Sequence, residues 1–109
     1  MMIDNVKTIE ELDAVLQLVF SIFPQVTDGT YKYSRDFWID KLNELPELLL
    51  YAKDGDKVCG FVLAWNDHGT ITAVTVGIDK EYRGQGIGKA LMLELERRVK
   101  ALGYHGIAL

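Results

Sequence analysis

The sequence predicts an α/β domain with a mixed, mainly antiparallel sheet and flanking helices. Three features of the 109-residue chain predict it. Apolar residues recur at helical spacing up to Leu45 and at strand spacing beyond Glu47. Two short breaks, Asp54-Gly55-Asp56 and Asp67-His68-Gly69, divide the stretch from Leu48 to Ile78 into three runs rich in β-branched and aromatic residues. A glycine-rich turn then leads into a strong amphipathic helix and a closing strand.

The predicted order is strand, two helices, three strands, helix, strand. Thr8-Ile9-Glu10-Glu11 is a capping box, in which the threonine hydroxyl accepts the Glu11 amide and the glutamate reaches back to the amide of Thr8. The helix it opens is expected to bury Ile9, Leu12, Leu16, Val19 and Phe23, with Pro24 closing it. Gln25 to Tyr33 reads as an irregular loop. Ser34 then caps a second helix with Phe37, Trp38, Leu42 and Leu45 on its apolar side, ended by Pro46. Leu48 to Lys53, Lys57 to Asn66 and Thr70 to Ile78 form the meander, because both breaks have hairpin chemistry. The last helix carries Ile87, Leu91, Leu95, Val99 and Leu102 in one stripe, with i,i+4 pairs Glu94–Arg98 and Glu96–Lys100 and Gly103 at the left-handed cap. His105 to Leu109 is the closing strand, parallel to its predecessor as strand–helix–strand connections require.

Composition narrows the function classes. Apolar residues make up 49% and charged residues 26%, the balance of an ordinary globular chain and too few residues for two domains. A net charge of −4 argues against a nucleic-acid partner and suits a cationic amine. Cys59 is the sole cysteine, which leaves no disulfide framework or cysteine-based metal cluster and reads as a buried strand residue in a reducing compartment. His68 and His105 have no partners at metal-ligand spacing, so no metal is expected. No stretch reaches membrane-spanning length and no secretory leader opens the chain, so a cytoplasmic protein is expected.

The chemistry concentrates in Val76-Gly77-Ile78-Asp79-Lys80-Glu81-Tyr82-Arg83-Gly84-Gln85-Gly86-Ile87-Gly88-Lys89. This segment lies where a strand ends and a helix begins. The amides from Gly84 to Lys89 are therefore unsatisfied helix-terminal donors, with the helix dipole behind them, and form an anion site. The glycines let the main chain turn and approach a bulky diphosphate, while Arg83 and Lys89 add positive charge. A nucleoside-triphosphate loop would need glycine at position 83 and Ser or Thr at position 90, where Arg83 and Ala90 stand. A dinucleotide fingerprint starting at Gly84 would need glycine where Lys89 stands.

The run Arg83-x-x-Gly86-x-Gly88 resembles the signature of GNAT acetyltransferases, which reads Arg or Gln, two residues, Gly, one residue, Gly or Ala. The surrounding IDKEYRGQGIGKALM is similar to the family's commonest wording of that segment, and the order of elements matches along the whole chain. The resemblance implies the acyl-CoA N-acyltransferase fold, with acetyl-CoA as cosubstrate and transfer of its acetyl group to a primary amine. It implies that Gly84, Gln85, Gly86, Ile87, Gly88 and Lys89 hold the pyrophosphate beside Arg83. The main chain of Val76, Gly77 and Ile78 would pair with the pantetheine arm, Gly77 sitting at or near a bulge that opens the sheet. Tyr31, Tyr33 and Trp38 fall in the region that shapes the family's acceptor pocket, and Tyr82 is usually a packing residue there. In complete members a further helix, with a tyrosine near the thiol, and two strands come after the fifth strand. This chain ends at Leu109, so the expectation is a C-terminally truncated domain to which no catalytic acid or base is assigned. The alternative reading is a CoA-binding module without turnover. The apolar surface that such a truncation would leave leads to an expected homodimer.

Overall fold

The computed structural model describes residues 1–23 and 34–108. Among these residues five strands form one sheet in the order of the chain: β1 (Met2–Asn5), β2 (Leu49–Asp54), β3 (Lys57–Asp67), β4 (Thr70–Ile78) and β5 (Ile107–Ala108). The first four are antiparallel and β5 pairs parallel to β4, so the sheet is mixed as the sequence predicts. The helices are α1 (Ile9–Ile22), α2 (Arg35–Glu44) and α3 (Ile87–Ala101), with short 3-10 turns at Pro46–Leu48 and Lys80–Tyr82. Pro24 and the loop expected over Gln25 to Tyr33 lie outside the described residues.

Both caps form as the sequence predicts. The Glu11 amide donates to Thr8 Oγ1 at 3.1 Å while Glu11 Oε1 accepts from the Thr8 amide at 3.2 Å, and the Phe37 amide donates to Ser34 Oγ at 3.3 Å. At the far end of α3, Gly103 adopts φ +91°, its amide donates to Lys100 O and the Tyr104 amide donates to Val99 O. That double closure is a Schellman motif, and it turns the chain back toward β5.

Strand alternation feeds two cores. On β2, Leu49 and Tyr51 face α1 and α2, whereas Leu50 and Ala52 face α3. Leu12, Val15, Leu16 and Val19 of α1 bury against the first face together with Trp38 and Leu42 of α2. Ile87, Leu91, Leu95 and Val99 of α3 bury against the second. Two residues expected inside are outside: Ile9 is 44% exposed and Leu102 is 40% exposed. Each lies at a helix end, where the stripe runs past the sheet that would cover it. The Glu94–Arg98 pair forms at 2.7 Å, but Glu94 also binds Arg97, and no Glu96–Lys100 pair closes among the described residues. Among the described residues the closing strand is Ile107–Ala108, and His105 and Gly106 of the expected run lie before it.

Two bulges set the phase of β3 and β4. One falls at Ala52/Lys53, where Cys59 is the extra residue opposite them, which places Cys59 and Gly60 together on the α3 side. Cys59 is buried, as expected, and burial raises its thiol pKa. The other falls on β4 between Ala73 and Thr75, opposite Leu63/Ala64. The bulge expected at or near Gly77 therefore lies upstream of it. Gly77 itself pairs regularly with Phe61.

Candidate functional site

The site begins with a gap in the sheet. Among the described residues β5 pairs with β4 at Ile71 and Thr72, so past the bulge the segment Val76 to Ile78 has no strand on its outer side. An extended chain could add there as a further strand. Val76 is exposed along this stretch. Gly77 is a glycine for a packing reason, since a Cβ there would fall 2.7 Å from Phe61 Cζ and 3.1 Å from Ile22 Cδ1.

The chain then passes through the Lys80–Tyr82 turn into the glycine-rich segment. Gly84 and Gly86 have φ of +80° and +79°, a region that L side chains enter only at a cost, and each has open space where a Cβ would point. Gly86 is the N-cap of α3 and supplies no side-chain acceptor. The first intrahelical bond runs from the Ala90 amide to Gly86 O, so the amides of Ile87, Gly88 and Lys89 precede the ladder. Alternating hands of the backbone in front of a helix N-terminus make a concave donor array of the kind that binds phosphate groups. Gly88 is different: its φ is ordinary and a Cβ would meet only Ile78 at 3.9 Å.

The loop Asp79 to Arg83 is tied from several sides. The Asp79 amide donates to Cys59 O at 2.8 Å, its carboxylate accepts from the Glu81 amide at 3.0 Å, and Arg83 Nε donates to Ile78 O at 3.2 Å. Part of the Arg83 guanidinium is thus spent on fixing the end of β4. From the β2–β3 hairpin, Asp54 Oδ2 accepts the Tyr82 hydroxyl at 2.9 Å, which raises the phenol's pKa, and Lys57 Nζ lies 3.2 Å from Glu81 and 3.7 Å from Asp79. Hydrogen bonding to Glu81 raises the Lys57 pKa, opposed by burial and helped by the charges of Asp79 and Glu81.

Sequence reasoning missed Gly60, Asp54 and Lys57. A Cβ on Gly60 would lie 2.8 Å from Ile78 Cδ1 and 3.2 Å from Ile87 Cγ2, so its absence lets the first turn of α3 seat against β3. A glycine inside an apolar strand run was the available signal. Asp54 and Lys57 carried none beyond their turn, because their partners sit more than twenty positions away in the sequence.

Other expected contacts resolve differently. Trp38 is fully buried, its ring 4.9 Å from Phe37 and 5.9 Å from Trp65, so it is core and not pocket lining; Tyr31 and Tyr33 lie outside the described residues. Tyr82 packs against the α3 core, as expected. His68 is almost wholly exposed in its turn, and no group of metal-ligating side chains occurs among the described residues. No helix among the described residues is long and apolar enough to cross a membrane.

The model of the acetyltransferase (GNAT) family matches residues 12–109. An acetyltransferase of Sodalis glossinidius is 36% identical over 63 residues, which are 58% of this chain and 44% of that protein. The matched stretch therefore spans less than half of that relative. Among solved structures, Ard1 from Thermoplasma volcanium superimposes with a TM-score of 0.78 at 18% identity, over 97% of this chain and 68% of that one. The PaiA N-acetyltransferase of Thermoplasma acidophilum, solved with coenzyme A, gives 0.74 at 22% identity over 95% and 76%. At these identities the two structures speak for the fold.

Proposed function

Because the chain belongs to the acetyltransferase (GNAT) family, we propose that it binds acetyl-CoA and supplies its acetyl group to a primary amine. The diphosphate is taken by the amides of Gly84, Gln85, Gly86, Ile87, Gly88 and Lys89, with Arg83 and Lys89 adding charge. The pantetheine arm adds as a strand along Val76, Gly77 and Ile78. One observation carries this reading: the donor array ahead of α3 and the open edge of β4 are consecutive in the chain, joined by a turn pinned at Asp79 and Tyr82. A ligand with a diphosphate at one end and an extended amide arm at the other fits both at once. PaiA of T. acidophilum, with coenzyme A bound and the same fold, supports the choice of ligand.

Acetyl-CoA supplies an activated thioester. The neutral amine attacks its carbonyl carbon and forms the C–N bond, the C–S bond breaks, the nitrogen gives up one proton to solvent, and the leaving thiolate takes one from it. The protein contributes positioning, by fixing both ends of the cofactor, and main-chain donors toward the carbonyl oxygen. The one cysteine, Cys59, is buried in the α3 core and away from the open edge of β4, so direct transfer in a ternary complex, without an acetyl-cysteine, is the reading. The acceptor is a small-molecule or peptide amine. We place the protein in the cytoplasm, in keeping with its single buried cysteine. A homodimer would use the apolar groove of Met92, Val99 and Ile107 beside the outer edge of β5.

The test is thermal. CoA and acetyl-CoA should raise the melting temperature, by about 2.7 kcal/mol of added stability at a hundredfold excess over Kd, whereas ATP and NAD should not. Gly86→Asp puts a carboxylate into the array and should abolish the shift. An unchanged CoA shift in that variant would place the diphosphate elsewhere.

A further inference from the structure

We propose that Lys57, on the far hairpin of the sheet, is a positioning residue for cofactor binding, holding the carboxylates of Asp79 and Glu81 away from the diphosphate and cancelling their charge. The proposal rests on the reading that Gly84 to Lys89 take the diphosphate of CoA. That array is built for an anion, yet two carboxylates stand three and five residues before Gly84. Left alone they would lower the local potential where a doubly charged ligand must settle. Lys57 Nζ reaches both, at 3.7 Å and 3.2 Å, and also lies 5.3 Å from the centre of the Tyr82 ring. The same ring is anchored through its hydroxyl to Asp54, on the other side of the hairpin turn. Hairpin and loop are thus joined by the Lys57 ammonium and by the Tyr82–Asp54 hydrogen bond.

Exposure tells what the lock is for. The Lys57 side chain is 47% exposed and that of Glu81 is 68% exposed, and ion pairs in such surroundings contribute little to folding stability. Their screened field on a ligand bound a few residues away still sums, because the diphosphate carries two charges and both carboxylates act on each of them. The network should therefore matter more for affinity than for stability.

The experiment is calorimetric titration of CoA into the wild-type protein and into Lys57→Met, Lys57→Arg, Lys57→Met with Glu81→Gln, and Gly86→Asp, at about 20 mM and about 500 mM salt, where screening lengths differ severalfold. Lys57→Met should weaken binding about three- to tenfold at low salt and much less at high salt. Lys57→Arg should stay near wild type. Adding Glu81→Gln should recover most of the loss, which a lost mechanical tether would not allow. Equal affinity of Lys57→Met and wild type overturns the proposal, as does a loss that is the same at both salts or unrelieved by Glu81→Gln. Failure of the wild type to bind CoA, or retained binding in Gly86→Asp, overturns the underlying reading and this proposal with it.

Discussion

Phe61 and Gly77 stand opposite each other on β3 and β4, and the ring of Phe61 fills the space that any side chain at position 77 would need. Phe61 is fully buried and Ile22 of α1 closes the same space, so the ring cannot swing clear. Gly77→Ala should therefore destabilise the protein by about 1–3 kcal/mol through overpacking. Gly60→Ala should cost less, because its nearest obstacle is the tip of the Ile78 side chain, which can rotate. Urea denaturation of the two variants gives the order, and Gly60→Ala proving the worse would contradict the packing described.

The glycines of the signature should separate by backbone conformation. Gly86, at φ +79°, should lose about 1–2 kcal/mol on replacement by alanine. Gly88, with an ordinary φ and room for a methyl group, should gain up to about 1 kcal/mol from the same change. Thermal melts of the two alanine variants decide it; equal losses would mean that both positions are constrained alike.

The separation also shows what could be read from sequence. Caps, turns and the amphipathic stripe of α3 depend on residues within four positions of one another, and these were legible: Thr8 with Glu11, Ser34 with Phe37, Gly103 after α3. The donor array was legible for the same reason. The bulge between Ala73 and Thr75 was not, because it answers to Leu63 and Ala64 across the hairpin and not to its neighbours in the chain. Ile9 and Leu102, expected inside, lie outside because helical period fixes a direction but not where the covering sheet stops. The role of Gly60 is set by Ile87 and Leu91, about thirty residues on.

The Tyr51 hydroxyl donates to Glu11 Oε2 at 3.0 Å, linking β2 to the capping box of α1. Burial, and then the Glu11 carboxylate, push the phenol up to about 12 from an ordinary 10. The neutral phenol is thus favoured by folding. Its contribution is fully present below pH 10 and is lost as the pH rises toward 12. Wild type should lose more stability than Tyr51→Phe over that window, measured by denaturant titration at each pH. Parallel curves for the two proteins would remove the Glu11 contact from the account.

Glu94 should contribute to the acid limb. Its carboxylate accepts from Arg97 at 2.6 and 2.8 Å and from Arg98 at 2.7 Å, and Arg98 in turn donates to Asn5 Oδ1 at 2.9 Å, so the cluster fastens α3 to the edge strand β1. The Arg97 hydrogen bonds, opposed by burial and helped by Arg98, bring the Glu94 carboxyl down to about 2 from an ordinary 4.5. Folding therefore favours the ionised form, and its contribution is present above pH 4.5 and is lost as the pH falls toward 2. Glu94→Gln should be less stable than wild type at neutral pH, by about 1 kcal/mol for a partly exposed cluster. Because Asp4, Glu11 and Asp13 are also held low, both proteins will weaken in acid, and the informative quantity is the gap between them. That gap should close between pH 4.5 and about 2. A gap that stays constant across the window would mean that Glu94 acts through its shape and not its charge.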